Sequence, residues 1–94
     1  MYSMNDYRMA LAERDNNDIG SAAWNLSQAK ITAIVSAMVA SGNTQMVSEV
    51  VDEVYNLNDC GMEFNSEAVQ FDLWLLESNG YKTEAKELRE LDWA

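Results

Sequence analysis

Apolar residues recur every three or four positions along this chain, and no proline interrupts the pattern. Such spacing belongs to helices that each bury one stripe. Nowhere do β-branched and polar residues alternate for long enough to make a strand. The chain therefore reads as all-α: a compact bundle of about five helices with short connections, forming a single helical domain over residues 1–94. With 48% hydrophobic residues in 94 positions, there is material for one small core.

The first helix is expected over about 5–14, with Tyr7 and Leu11 on one side. The run Asp15-Asn16-Asn17-Asp18 and then Gly20 ends it, because short polar side chains compete for backbone hydrogen bonds. Ser21 caps a second helix reaching about position 41. Its large stripe is Trp24, Ile31, Ile34, Val35, Met38 and Val39. Its other face is Ala22, Ala29, Ala33, Ala37 and Ala40, which predicts a central helix packed on both sides. Lys30 is the lone charge in 19–48. A third helix, capped by Asn43 or Thr44, sets Val47, Val50, Val51, Val54 and Leu57 against Glu49, Asp52, Glu53 and Asn56. After a loop of turn formers, Asn65 or Ser66 caps a fourth helix that is apolar nearly all round, closed by Asn79-Gly80. Thr83 caps a last helix through Leu91.

The charge is unevenly distributed. The chain carries sixteen acids against six bases, a net charge of -10. Residues 44–79 hold eight of the acids, namely Glu49, Asp52, Glu53, Asp59, Glu63, Glu67, Asp72 and Glu77, and no base. Like charges so placed repel, and interspersed bases would have relieved them. Tyr55, Phe64, Phe71 and Trp74 share the segment. Acids beside aromatic rings suit a surface that receives Lys and Arg, since Arg pairs with carboxylates and stacks on rings. The expected partner-binding residues are Glu49, Asp52, Glu53, Tyr55, Asp59, Glu63, Phe64 and Glu67.

Other chemistry is poorly supplied. Without His there is no imidazole acid or base and no His-ligated metal. The one cysteine, Cys60, allows no internal disulfide, and beside Asp59 it lacks the electropositive setting of a nucleophile. The 56–67 loop places Gly61 and Glu67 as an EF-hand would, but Cys60 and Glu63 fall where a hard oxygen ligand and an apolar residue belong. No enzyme activity, cofactor or metal is expected. The charge opposes direct binding to nucleic acid or anionic membranes. The longest apolar run, 31–40, is half a membrane span, and no signal peptide opens the chain. A cytoplasmic setting, in a host cell's cytoplasm, is expected. Asp72 falls between Ala68, Leu75 and Leu76, so either it pairs with a cation from elsewhere in the fold, the favoured expectation, or that part of the fourth helix is exposed until a partner arrives.

In its size, its lack of His and Pro, and its acidic 44–79 segment with Glu49, Asp52, Glu53, Asp59 and Glu63, the chain resembles the small acidic helical inhibitors that bacteriophages make against host defence, of the anti-CRISPR and anti-restriction type. That resemblance implies a DNA mimic whose carboxylates occupy the basic, nucleic-acid-binding surface of a CRISPR or restriction complex. Three alternatives stand beside it. One is a homodimeric or larger helical adaptor joined through apolar faces. Another is a sponge, its pocket formed in an oligomer, holding a small nucleotide messenger through Tyr7, Arg8, Lys30 and Thr32. The third is an antitoxin-like partner of a basic toxin.

Overall fold

A computed structural model describes residues 1–94 as five α-helices with no strand. The fold is all-α, as the apolar spacing predicts. The chain divides into two compact units, Met1–Met46 and Val47–Ala94.

The first unit pairs α1 (Met4–Asp15) with α2 (Ala22–Ala40). Helix α1 begins in a capping box: the Asp6 amide donates to Ser3 Oγ, and the Ser3 amide donates to Asp6 Oδ2 at 2.7 Å. Two of the orphan amide groups at the helix start are thereby satisfied. The polar run after Arg14 ends the helix as expected, with the Asn17 side chain donating to the Glu13 carbonyl at 2.7 Å. Gly20 turns the chain at a φ of 84°, in the left-handed region. Ser21 then caps α2 by accepting from the Trp24 amide. Trp24, Ile31, Ile34, Val35 and Met38 are buried.

The small-residue face of α2 departs from expectation. Ala22, Ala29, Ala33, Ala37 and Ala40 are all exposed, so the helix buries one side within this chain, not two. Alanine has the strongest intrinsic helix propensity. A face of alanines therefore favours the helix that the buried stripe and cap hold in place.

The second unit holds most of α3 (Gln45–Asp59), together with α4 (Glu67–Ser78) and α5 (Lys82–Arg89), and α4 packs on α5. Asn43 Oδ1 accepts from the Gln45 amide at the start of α3. Ser66 caps α4 by accepting from the Val69 amide, and Gly80 follows its C-terminus at a φ of 92°. Ala68, Val69, Leu73, Leu75 and Leu76 of α4 and Ala85 and Leu88 of α5 are buried. Thr83 is not a cap. Helix α5 starts one residue before it, at Lys82, with Tyr81 in the capping position and no side-chain hydrogen bond.

Candidate functional site

The eight acids of 44–79 divide into two groups. Asp52, Asp59, Glu63 and Glu67 are exposed, and their carboxylates have no hydrogen-bond or ion-pair partner. Glu49, Glu53, Asp72 and Glu77 are each engaged. The free four run from the outer face of α3, through the 60–66 loop, to the first turn of α4.

Glu53 overturns its expected place on that surface. It is buried, only 8% exposed, and it has an interaction partner. The reason is angular. At about 100° per residue, position 53 lies on one line with positions 46, 50 and 57. Met46, Val50 and Leu57 on that line are all buried. A face drawn from the valines and Leu57 alone omits Met46, and so stops short of the buried arc's true edge. Glu49 falls one step further round and is half-buried. The outward stripe of α3 is instead Ser48, Asp52, Tyr55, Asn56 and Asp59, all exposed, with Tyr55 at 44%.

Phe64 is half-buried and makes contacts within the fold. Its ring lies 5.7 Å from that of Trp93, and the Arg89 guanidinium sits 5.9 Å from its centroid. Its carbonyl accepts from the Gln70 side chain at 2.8 Å. The C-terminal segment completes the clasp: Trp93 Nε1 donates to the Leu88 carbonyl, and Asn58 Nδ2 donates to the Asp92 carbonyl. The Gln70 bond and the Trp93 ring tie the 60–66 loop, which carries Glu63, while Asp59 and Glu67 stand on the helices at its two ends. The sequence spacing alone could not pair Phe64 with Trp93, twenty-nine residues away.

Arg89 also forms an ion pair with Glu77. One of the three C-terminal bases thus folds back on the acidic segment, and it neutralises a carboxylate outside the expected set. Asp72 is buried and engaged, in keeping with its position among apolar residues.

In the first unit, the single chain does not gather the four residues of the nucleotide alternative into one pocket. Tyr7 is buried at 2% exposure. Thr32 Oγ1 donates to the Gln28 carbonyl of its own helix at 2.9 Å. Lys30 pairs with Glu13 at 3.2 Å. Arg8 is exposed but has a partner of its own. A groove of about 350 Å³ does lie beside Lys30, among Tyr2, Asp6, Met9, Glu13 and Ile34. It carries two carboxylates to one ammonium, a balance that repels an anionic ligand.

Sequence spacing also missed a polar joint between α1 and α2. Arg14 is almost wholly buried and donates from Nη1 to Gln28 Oε1 at 3.0 Å, with Asp15 Oδ1 3.5 Å from its Nε. Gln28 is 4% exposed, and its Nε2 has no hydrogen-bond partner. A glutamine one turn after Trp24, on the apolar stripe, was the available signal.

Around the 56–67 loop, the Cys60 thiol donates to the Leu57 carbonyl, and the side chain of Asn58 is committed to Asp92. No three Cys, Asp or Glu side chains of the chain converge as a metal site would require. No helix is long and apolar enough to cross a membrane. The chain matches no family model, no curated protein and no solved structure.

Proposed function

We propose that this chain is a small acidic protein-binding inhibitor whose target is the basic, nucleic-acid-binding surface of another protein. One observation carries the reading. Asp52, Asp59, Glu63 and Glu67 are exposed and unpaired beside exposed Tyr55, in a segment where no Lys or Arg occurs between positions 30 and 82. Duplex DNA presents one charge per about 1.7 Å of axis, and a protein that reads it displays Lys and Arg in return. Carboxylates held on helix and clasped loop compete for that surface, and their field speeds encounter with it. A CRISPR or restriction complex of a bacterial host, opposed by a phage-encoded protein, is the target class this reading favours. An antitoxin acting on a basic toxin would use the same chemistry.

The test follows from the division of the acids. Immobilised chain is exposed to bacterial lysate at low salt, and captured proteins are challenged with duplex DNA. The expected result is capture of nucleic-acid-binding proteins that DNA releases. Joint substitution of Asp52→Lys, Asp59→Lys and Glu63→Lys should abolish that capture while helical circular dichroism is unchanged. Undiminished capture by the triple variant refutes the proposal.

A further inference from the structure

The outer face of α4 carries an aromatic pair that the fold of this chain leaves uncovered. Trp74 is 49% exposed, although every other large apolar residue of its Leu73–Leu76 run is buried. Its ring lies 5.5 Å from that of half-buried Phe71, tilted by 48°. On the helix, Glu67, Phe71 and Trp74 follow one another at four and three residues and therefore share a face. Glu67 is exposed and has no partner.

The same unit shows what such a combination receives. Arg89 lies over the Phe64 ring while its guanidinium pairs with Glu77, a carboxylate of α4. Ring and carboxylate together hold one arginine there. Phe71, Trp74 and Glu67 offer the same two kinds of group along two turns of one face, without an arginine in place. The guanidinium suits both halves, because it is planar, stacks on aromatic faces and forks onto carboxylates, whereas an ammonium is a compact, strongly hydrated point charge. Trp is the strongest ring for such a contact, and Trp and Arg are both enriched where binding energy concentrates.

From this we infer that the Phe71–Trp74 face of α4 is a docking site for an arginine-bearing segment of a partner protein, with Trp74 as the stacking platform and Glu67, two turns away on the same face, attracting the segment by its charge. The inference rests on the proposed acidic-inhibitor reading and sharpens it: the partner's surface is read through arginine in preference to lysine. Charge complementarity selects the occupant. For a nucleic acid or an anionic membrane the unpaired charge met here is of its own sign, and a second copy of the chain would bring the same acids against Glu67.

The probes are deca-arginine and deca-lysine peptides, titrated against the full chain at low salt by calorimetry. The wild-type chain should prefer the arginine peptide. Trp74→Ala should weaken arginine-peptide binding by about two- to five-fold, the range expected of an exposed cation–π contact. It should leave lysine-peptide binding nearly unchanged, and Trp74→Phe should restore much of the loss. The Trp74 indole N–H resonance should shift with the arginine peptide and much less with the lysine peptide. Equal weakening of both peptides by Trp74→Ala, or none of either, overturns the inference. If the Asp52, Asp59 and Glu63 reversal leaves both peptides bound as before, it is the acidic reading that fails, whatever Trp74 does.

Discussion

In the first unit, α2 turns Ala22, Leu26, Ala29, Ala33 and Ala37 to the outside, whereas in the second, α3 turns out Asp52, Tyr55, Asn56 and Asp59. Both helices bury one apolar stripe, and the faces left over differ in charge. The first unit holds four acids and three bases, and the second twelve acids and three bases. Both interiors also enclose charged groups. The first keeps a buried guanidinium hydrogen-bonded to a buried amide, Arg14 to Gln28, while the second buries Glu53 and Asp72 as well as Leu73, Leu75, Leu76 and Leu88. Helix formation tolerates either kind of outer surface, because the inner stripe and the caps supply the stability. The outer surface is thus free to be chosen for something else, and the second unit is where acids and rings accumulate.

Four measurements bear on this contrast. The largest effect is expected at the apolar centre of the second unit: Leu73→Ala should cost about 2–5 kcal/mol in urea unfolding, since Leu73 is fully buried. The polar joint of the first unit comes next. Gln28→Leu removes an acceptor from buried Arg14 and should cost about 1–3 kcal/mol by the same measurement; a stabilised variant would show that the joint is dispensable. Cap removal should treat the units alike. Ser21→Ala and Ser66→Ala should each cost about 1 kcal/mol, and a cap that proves silent would mean its helix is held by packing alone. The smallest effect belongs to the alanine face, where Ala33→Glu should stay within about 0.5 kcal/mol of the parent because the position is exposed. A loss well above that would show the alanine face to be covered in solution.

The helices and most of their signals were readable from spacing. Ser21, Ser66 and Asn79-Gly80 stand where the expected caps and stop belong, and the stripe from Trp24 to Met38 is buried as drawn. The candidate site was readable only in part. Asp52, Tyr55, Asp59, Glu63 and Glu67 are exposed as expected, while Glu53 went astray on the edge of an arc, where omitting Met46 moved the boundary past it. Such an edge is where periodicity is weakest, because one residue of rotation separates a buried position from an exposed one. The surroundings of Phe64 were not readable for another reason: its neighbour Trp93 and its cation Arg89 come from the far end of the chain, beyond the reach of any local pattern.

Local physics is written in local residues. Apolar periodicity, alanine content, cap chemistry and the absence of bases from 31 to 81 were therefore settled by the order of amino acids alone. Which acids keep their charge open to solvent was settled by tertiary structure, which enclosed Glu53 and Asp72 and brought Arg89 to Glu77. The same holds for the rings: Phe64 was taken into a clasp and Trp74 was left outside. A side chain's availability depends on what the rest of the chain sets against it, and that is a property of the fold.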